Sequence, residues 1–152
     1  MKRRTAAGLA CALATTLGFA VAQAIGAWTL AGSGEAIYTA TADGGLLFYC
    51  SDAGALEADV GPYGRTPGTE YALTFRIEGA EPLELRAPVG PATAVLLAGD
   101  DAAALVAFLR EAPATTVTMA IAGLPLPGGP LTFDLPTHGL DAALAELPCG
   151  PS

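Results

Sequence analysis

Along most of the chain the hydrophobic positions recur every second residue, and in two short stretches they switch to a helical period. Ile25 to Leu30 holds Trp28 and Thr29 and suits a short strand. Ala36 to Thr41 alternates in part. Asp43-Gly44-Gly45 is a turn signal, and Leu46-Leu47-Phe48-Tyr49-Cys50 is an apolar run of the kind a central strand carries. Together these segments predict a hairpin. Leu56 to Val60 puts Glu57 and Asp59 on one side, with Leu56, Ala58 and Val60 on the other. Tyr71 to Glu78 alternates most cleanly, with Tyr71, Leu73, Phe75 and Ile77 on one face. Leu83 to Arg86 repeats the pattern after a turn at Gly79 to Pro82, and Ala92 to Ala98 is a further strand candidate.

At Asp100 the period changes. Asp100 or Asp101 is placed to cap a helix, and Leu105, Phe108 and Leu109 form its apolar stripe. Arg110 complements the helix dipole, and Pro113 stops the helix. Thr115 to Ile121 and Leu131 to Leu135 return to strand periodicity across a Leu124–Pro130 Pro/Gly loop. A last helix starting near Thr137 or His138 carries Leu140, Leu144 and Leu147 and ends at Pro148. The expected fold class is α+β, mostly antiparallel β and sandwich-like, with two short helices near the C-terminus.

Residues 1–24 follow a different logic. Lys2, Arg3 and Arg4 precede an apolar stretch that closes on Ala22-Gln23-Ala24, a small-x-small cleavage signal. This reads as a secretory signal peptide, leaving residues 25–152 as one β-rich exported domain. An uncleaved membrane anchor is the competing reading. Cys11 follows Gly8-Leu9-Ala10, which lacks the upstream Leu of a lipid-acceptor site, so it reads as an ordinary signal residue.

Removing that segment sharpens the charge. The whole chain has seven basic and fifteen acidic side chains. The remainder keeps Arg65, Arg76, Arg86 and Arg110 against all fifteen carboxylates, a net −11, and contains no Lys, Asn or Gln. Phosphate neutralisation needs clustered cations, so nucleic acid is excluded as a partner. No stable membrane span is expected after cleavage. Two cysteines remain, Cys50 and Cys149, and in an exported chain an even pair predicts one structural disulfide.

The catalytic inventory is thin. No Ser lies in G-x-S-x-G, no Lys remains for Schiff-base chemistry, and no P-loop or dinucleotide fingerprint appears. His138, the single imidazole, reads as a surface residue at a helix start. Glu78, Glu81 and Glu84 read as solvating a turn. No metal site, cofactor or catalytic residue is assigned. The loop from Gly61 to Gly68 carries Tyr63 and Arg65, two residue types enriched at binding hot spots, and is the candidate interaction loop, weighed against an ordinary surface loop. The expected function is therefore a periplasmic or secreted non-enzymatic domain that binds another envelope protein or component. The alternatives are a small secreted hydrolase using Asp/Glu carboxylates, and a structural or stress-related envelope protein.

The segments AALVAFLREA, TTVTMAI and LTFDLPTHGLDAALAEL, between Ala103 and Leu147, resemble the C-terminal part of the invasion-associated locus B family of small exported proteobacterial proteins. Phe133 to Leu135, Gly139 and Ala142 to Leu147 carry the closing strand, glycine and helix of that pattern. Trp28 and the Leu83–Leu97 region are similar in kind, so the likeness spans about half the chain. The chain lacks that family's mid-domain cysteines; Cys50 and Cys149 look more like other small envelope proteins, including ones associated with type VI secretion. The resemblance implies a β-sandwich-like envelope domain without a known enzymatic activity and carries over no functional residue.

Overall fold

A computed structural model of the chain describes residues 21–110, 112–123 and 130–151. Among these residues ten strands and two helices follow in the order β1 (Gln23–Ile25), β2 (Trp28–Leu30), β3 (Ala36–Ala40), β4 (Gly45–Cys50), β5 (Leu56–Gly61), β6 (Glu70–Arg76), β7 (Leu83–Pro88), β8 (Val95–Leu97), α1 (Asp100–Leu109), β9 (Ala114–Ile121), β10 (Leu131–Pro136) and α2 (Leu140–Leu144). Every pairing is antiparallel. One sheet has the order β1-β2-β3-β4-β5-β8 and the other β10-β9-β6-β7. Their apolar faces share a single core that includes Trp28, Phe48, Phe75, Leu97, Leu105, Met119 and Leu135.

Alternation explains the sorting. In β6, Tyr71, Leu73 and Phe75 are buried while Glu70 and Arg76 are exposed. In β9, Val117 and Met119 face the core. The register places Leu73 opposite Met119 and Phe75 opposite Val117, so core residues meet core residues across the ladder.

Four expectations need correction. The first helix is mid-chain rather than near the C-terminus, because β9 and β10 follow it; only α2 is C-terminal. Neither aspartate caps α1. The N-cap is Gly99, at φ 57, with no side-chain cap, so Asp100 and Asp101 sit inside the first turn and act through the dipole alone. The expected strand at Ala92 shrinks to Val95–Leu97, because Thr93 takes a left-handed turn conformation at φ 66. The first strand is a miniature hairpin: Gln23 to Ile25 pairs with Trp28 to Leu30 around Gly26. The expected cleavage point after Ala24 thus falls within β1, and residues 1–20 of the signal segment lie outside the described residues. Among the described residues no helix is long and apolar enough to cross a membrane.

Trp28 ties the N-terminal hairpin to the end of the fold. Its ring is fully buried with its centroid 5.7 Å from that of Phe48, and its indole N–H donates to the Thr137 carbonyl at 3.2 Å. The Thr137 hydroxyl in turn donates to the Ala112 carbonyl at 2.9 Å, and the Ala27 N–H to the His138 carbonyl at 3.0 Å. This close approach needs glycine at position 26, where a Cβ would lie 2.6 Å from the His138 carbonyl oxygen. Arg110, just past α1, pairs with Asp141 of α2 at 2.7 Å.

Cys50, the last residue of β4, is disulfide-bonded to Cys149, with 5.6 Å between Cα atoms. The bridge anchors the segment after α2, whose Leu147 is buried beside it in sequence. The closed loop spans 99 residues, for which chain entropy gives at most about 4–5 kcal/mol.

Three outcomes follow from these anchors. Replacing both cysteines by serine lowers the unfolding free energy in urea by up to that amount. In the unreduced protein, intact mass after alkylation shows no modified thiol at Cys50 or Cys149. Trp28→Phe keeps most of the apolar packing but strands the Thr137 carbonyl, and costs about 1–3 kcal/mol in the same urea titration.

Candidate functional site

The outer face of the six-stranded sheet has an unusual composition at one end, and strand register creates it. Pairing aligns Ala40 with Gly45 and Gly45 with Gly61, which makes one cross-strand row of very small residues. Two positions along each strand the next row is Tyr38, Leu47, Asp59 and Leu96. The row after that is Ala36, Tyr49 and Glu57. Because side chains of one parity share a face, large residues stand beside a strip with almost no side chain. The result is a hollow of about 230 Å³, lined by Tyr38, Ala40, Gly45, Leu47, Asp59, Gly61, Tyr63 and Ala94 among others.

The strip depends on glycine at two points. A Cβ on Gly45 would meet the Thr39 carbonyl oxygen at 3.2 Å, and Gly61 sits at φ 151, which side chains other than glycine rarely adopt.

Tyr38 and Tyr63 are 41% and 58% exposed, and with Val21 they are the large hydrophobic side chains open to solvent among the described residues. Both line this hollow. Tyr63 arrives from the Gly61–Gly68 loop, which is pinned by hydrogen bonds from the Gly64 and Arg65 N–H groups to the Thr93 side chain and carbonyl, each 2.8 Å.

Asp59 is the chemical feature of the hollow. Its position on an outer face predicts a solvated carboxylate, yet it is only 6% exposed. Burial pushes its carboxyl group above the usual carboxylate range, and the neighbouring charge of Glu57 adds to the effect, while the Tyr49 hydroxyl works against it. That hydroxyl donates to Glu57 at 3.0 Å. Tyr49 itself is held un-ionised, first by burial, then by Asp59 and by its bond to Glu57. Tyr63 is raised for similar reasons, partial burial first and Asp59 second. The ion pairs among the described residues are Arg86–Glu70 and Arg110–Asp141, so no basic side chain neutralises Asp59.

Of the two loop residues singled out in the sequence, Tyr63 lines the hollow and Arg65 does not. Arg65 is half-buried, and its Nε is buried without a hydrogen-bond partner. His138 is exposed, and Glu78, Glu81 and Glu84 are exposed around their turn. Residues 124–129 of the second candidate loop lie outside the described residues. Tyr38 and Asp59 were not candidates from sequence. The available signal was the coincidence of Tyr38 and Asp59 on polar-side positions of neighbouring strands with the small residues Ala40, Gly45 and Gly61. A register was needed to connect them.

The fold defined here is a pair of antiparallel sheets around one core with two short helices. Among solved structures, the chain is similar to the crystal structure of invasion associated protein b from Bartonella henselae. The TM-score is 0.53 at 17% identity, covering 82% of this chain and 94% of that one. That likeness establishes a shared fold and accords with the resemblance in the sequence. No family model and no curated protein matches the chain.

The raised Asp59 pKa has a thermodynamic consequence. A carboxylate that titrates higher in the folded state than in the unfolded state costs nothing while both are protonated. The cost grows as pH rises from about 4 through the folded value. Urea unfolding between pH 4 and pH 8 is therefore expected to show wild-type stability falling relative to Asp59→Asn as pH rises, with the Asn variant the more stable at pH 7. Identical pH profiles for the two proteins would contradict the burial of an ionisable group at this position.

Proposed function

We propose that the chain is an exported, non-enzymatic envelope domain and that the hollow with its Tyr63 loop is the surface through which it binds another envelope protein or component. The observation that carries this reading is the pair Tyr38 and Tyr63. Both exposed aromatics stand on the same hollow, although one comes from β3 and the other from a loop 25 residues further on. Exposed tyrosines supply large contact area at low conformational cost and are enriched at binding hot spots. The export part of the reading rests on the Lys2-Arg3-Arg4 and Ala22-Gln23-Ala24 pattern, with the signal removed and the domain free in the periplasm or secreted.

The hydrolase alternative draws on the same carboxylate, since perturbed acids concentrate at active sites. Glycoside hydrolysis needs two carboxyl groups flanking the bond to be cut. Here Asp59 lines the hollow and Glu57 does not, being engaged by Tyr49 of the neighbouring strand β4. That arrangement favours recognition over bond cleavage.

A photo-crosslinking amino acid placed at Tyr38, Tyr63 and Thr132 in the full chain, expressed in a cell that exports it, tests the assignment. Thr132 is exposed on the other sheet and serves as the control. Discrete adducts from positions 38 and 63 and none from 132 are the expected result. Adducts from all three positions, or from 132 alone, would reject this surface.

A further inference from the structure

Taking the hollow as the contact surface, we propose that it receives a single organic cation, an ammonium or guanidinium group on an apolar stem such as a lysine or arginine side chain, with Asp59 as counter-ion and Tyr38 and Tyr63 as aromatic walls. Asp59 carries the argument. As a residue Asp59 is only 6% exposed and it has no basic partner, so its ionised form is disfavoured, and a cation entering the hollow offsets that cost. The walls suit the same occupant. Tyrosine rings attract cations through their negative faces, most strongly where water is excluded. The remaining lining, Ala40, Leu46, Leu47, Ala94 and the two glycines, offers an apolar path for a stem but no second charge.

Size and valence narrow the class. A volume of about 230 Å³ is below the roughly 300–1,000 Å³ of drug-sized ligand sites, and fits one side-chain head with its stem. A hard divalent cation needs six or more oxygen ligands. The hollow has one carboxyl group in its lining, and no group of three His, Cys, Asp or Glu side chains capable of holding a metal occurs among the described residues. Glu57, two residues from Asp59 on the same strand, adds negative potential beside it. Arg65, the basic residue on the facing loop, makes no ion pair with it.

The test is titration of the isotopically labelled full chain, lacking only the signal segment, followed by amide chemical shifts. The probes are n-butylammonium, N-acetyl-lysine methylamide, N-acetyl-arginine methylamide and, as the uncharged match, N-acetyl-norleucine methylamide. The charged probes are expected to shift Tyr38 to Ala40 and Gly61 to Tyr63, with the norleucine derivative weaker by about tenfold or more. Asp59→Asn removes that preference, and Ala40→Trp, at an exposed strand position, fills the hollow and abolishes binding of every probe. Tighter binding of an amino-acid amide than of butylammonium identifies a peptide-borne side chain, and equal binding a free amine; both support the cation site. Norleucine binding as well as lysine, an unchanged preference in Asp59→Asn, or no shifts with any charged probe would overturn it. Crosslinks from Tyr63 that persist in Asp59→Asn and resist butylammonium would reject the cation while keeping the contact surface. Cation binding without those crosslinks would do the reverse.

Discussion

The register of β3, β4 and β5 is the constraint on which both the core and the hollow depend. Because side chains alternate with a period of two, a single pairing decides both faces at once. Setting Leu47 opposite Asp59 puts Phe48 opposite Ala58 on the inner face and builds the core. The same pairing lines up Ala40, Gly45 and Gly61 on the outer face and leaves the space that Tyr38, Asp59 and Tyr63 surround. A slip by one residue would turn Phe48 and Val60 outward. The apolar core therefore protects the geometry of the outer surface.

The ends of the chain stabilise this register by different means. Trp28 and Gly26 fasten the first hairpin onto the Thr137–His138 segment. The Cys50–Cys149 bridge fastens the end of β4 to the residues after α2. The middle strand of the hollow is thus covalently tied at one end, and its other end forms the floor through Gly45. This arrangement places an anchored sheet beneath the site and the Tyr63 loop, hydrogen-bonded to Thr93, at its rim.

The charge distribution acquires a local meaning from the fold. A net −11 spread over a surface explains repulsion of polyanions and little else. Asp59 differs because it is only 6% exposed within the sheet and the hollow, which disfavours its ionised form while leaving the solvated carboxylates unaffected.

Much of the fold was legible in the sequence. Alternation located β3 to β7, β9 and β10, and a switch of period located both helices, because burial on one face imposes those patterns locally. The cysteine pair was legible because an even count left one intramolecular pairing. Helix caps and short strands were less legible: Gly99 at the start of α1 and the turn at Thr93 are set by backbone geometry that several sequences satisfy. The site itself was half legible. Tyr63 stood out in a Pro/Gly loop, but Asp59 read as one polar residue of an alternating strand. The sequence by itself determined which residues face away from the core, since that follows from a period of two within each strand. Only the tertiary structure decided that one of those outward residues is buried, because burial there requires β4, β8 and the walls of the hollow to meet around it, and local pattern contains no information about that meeting.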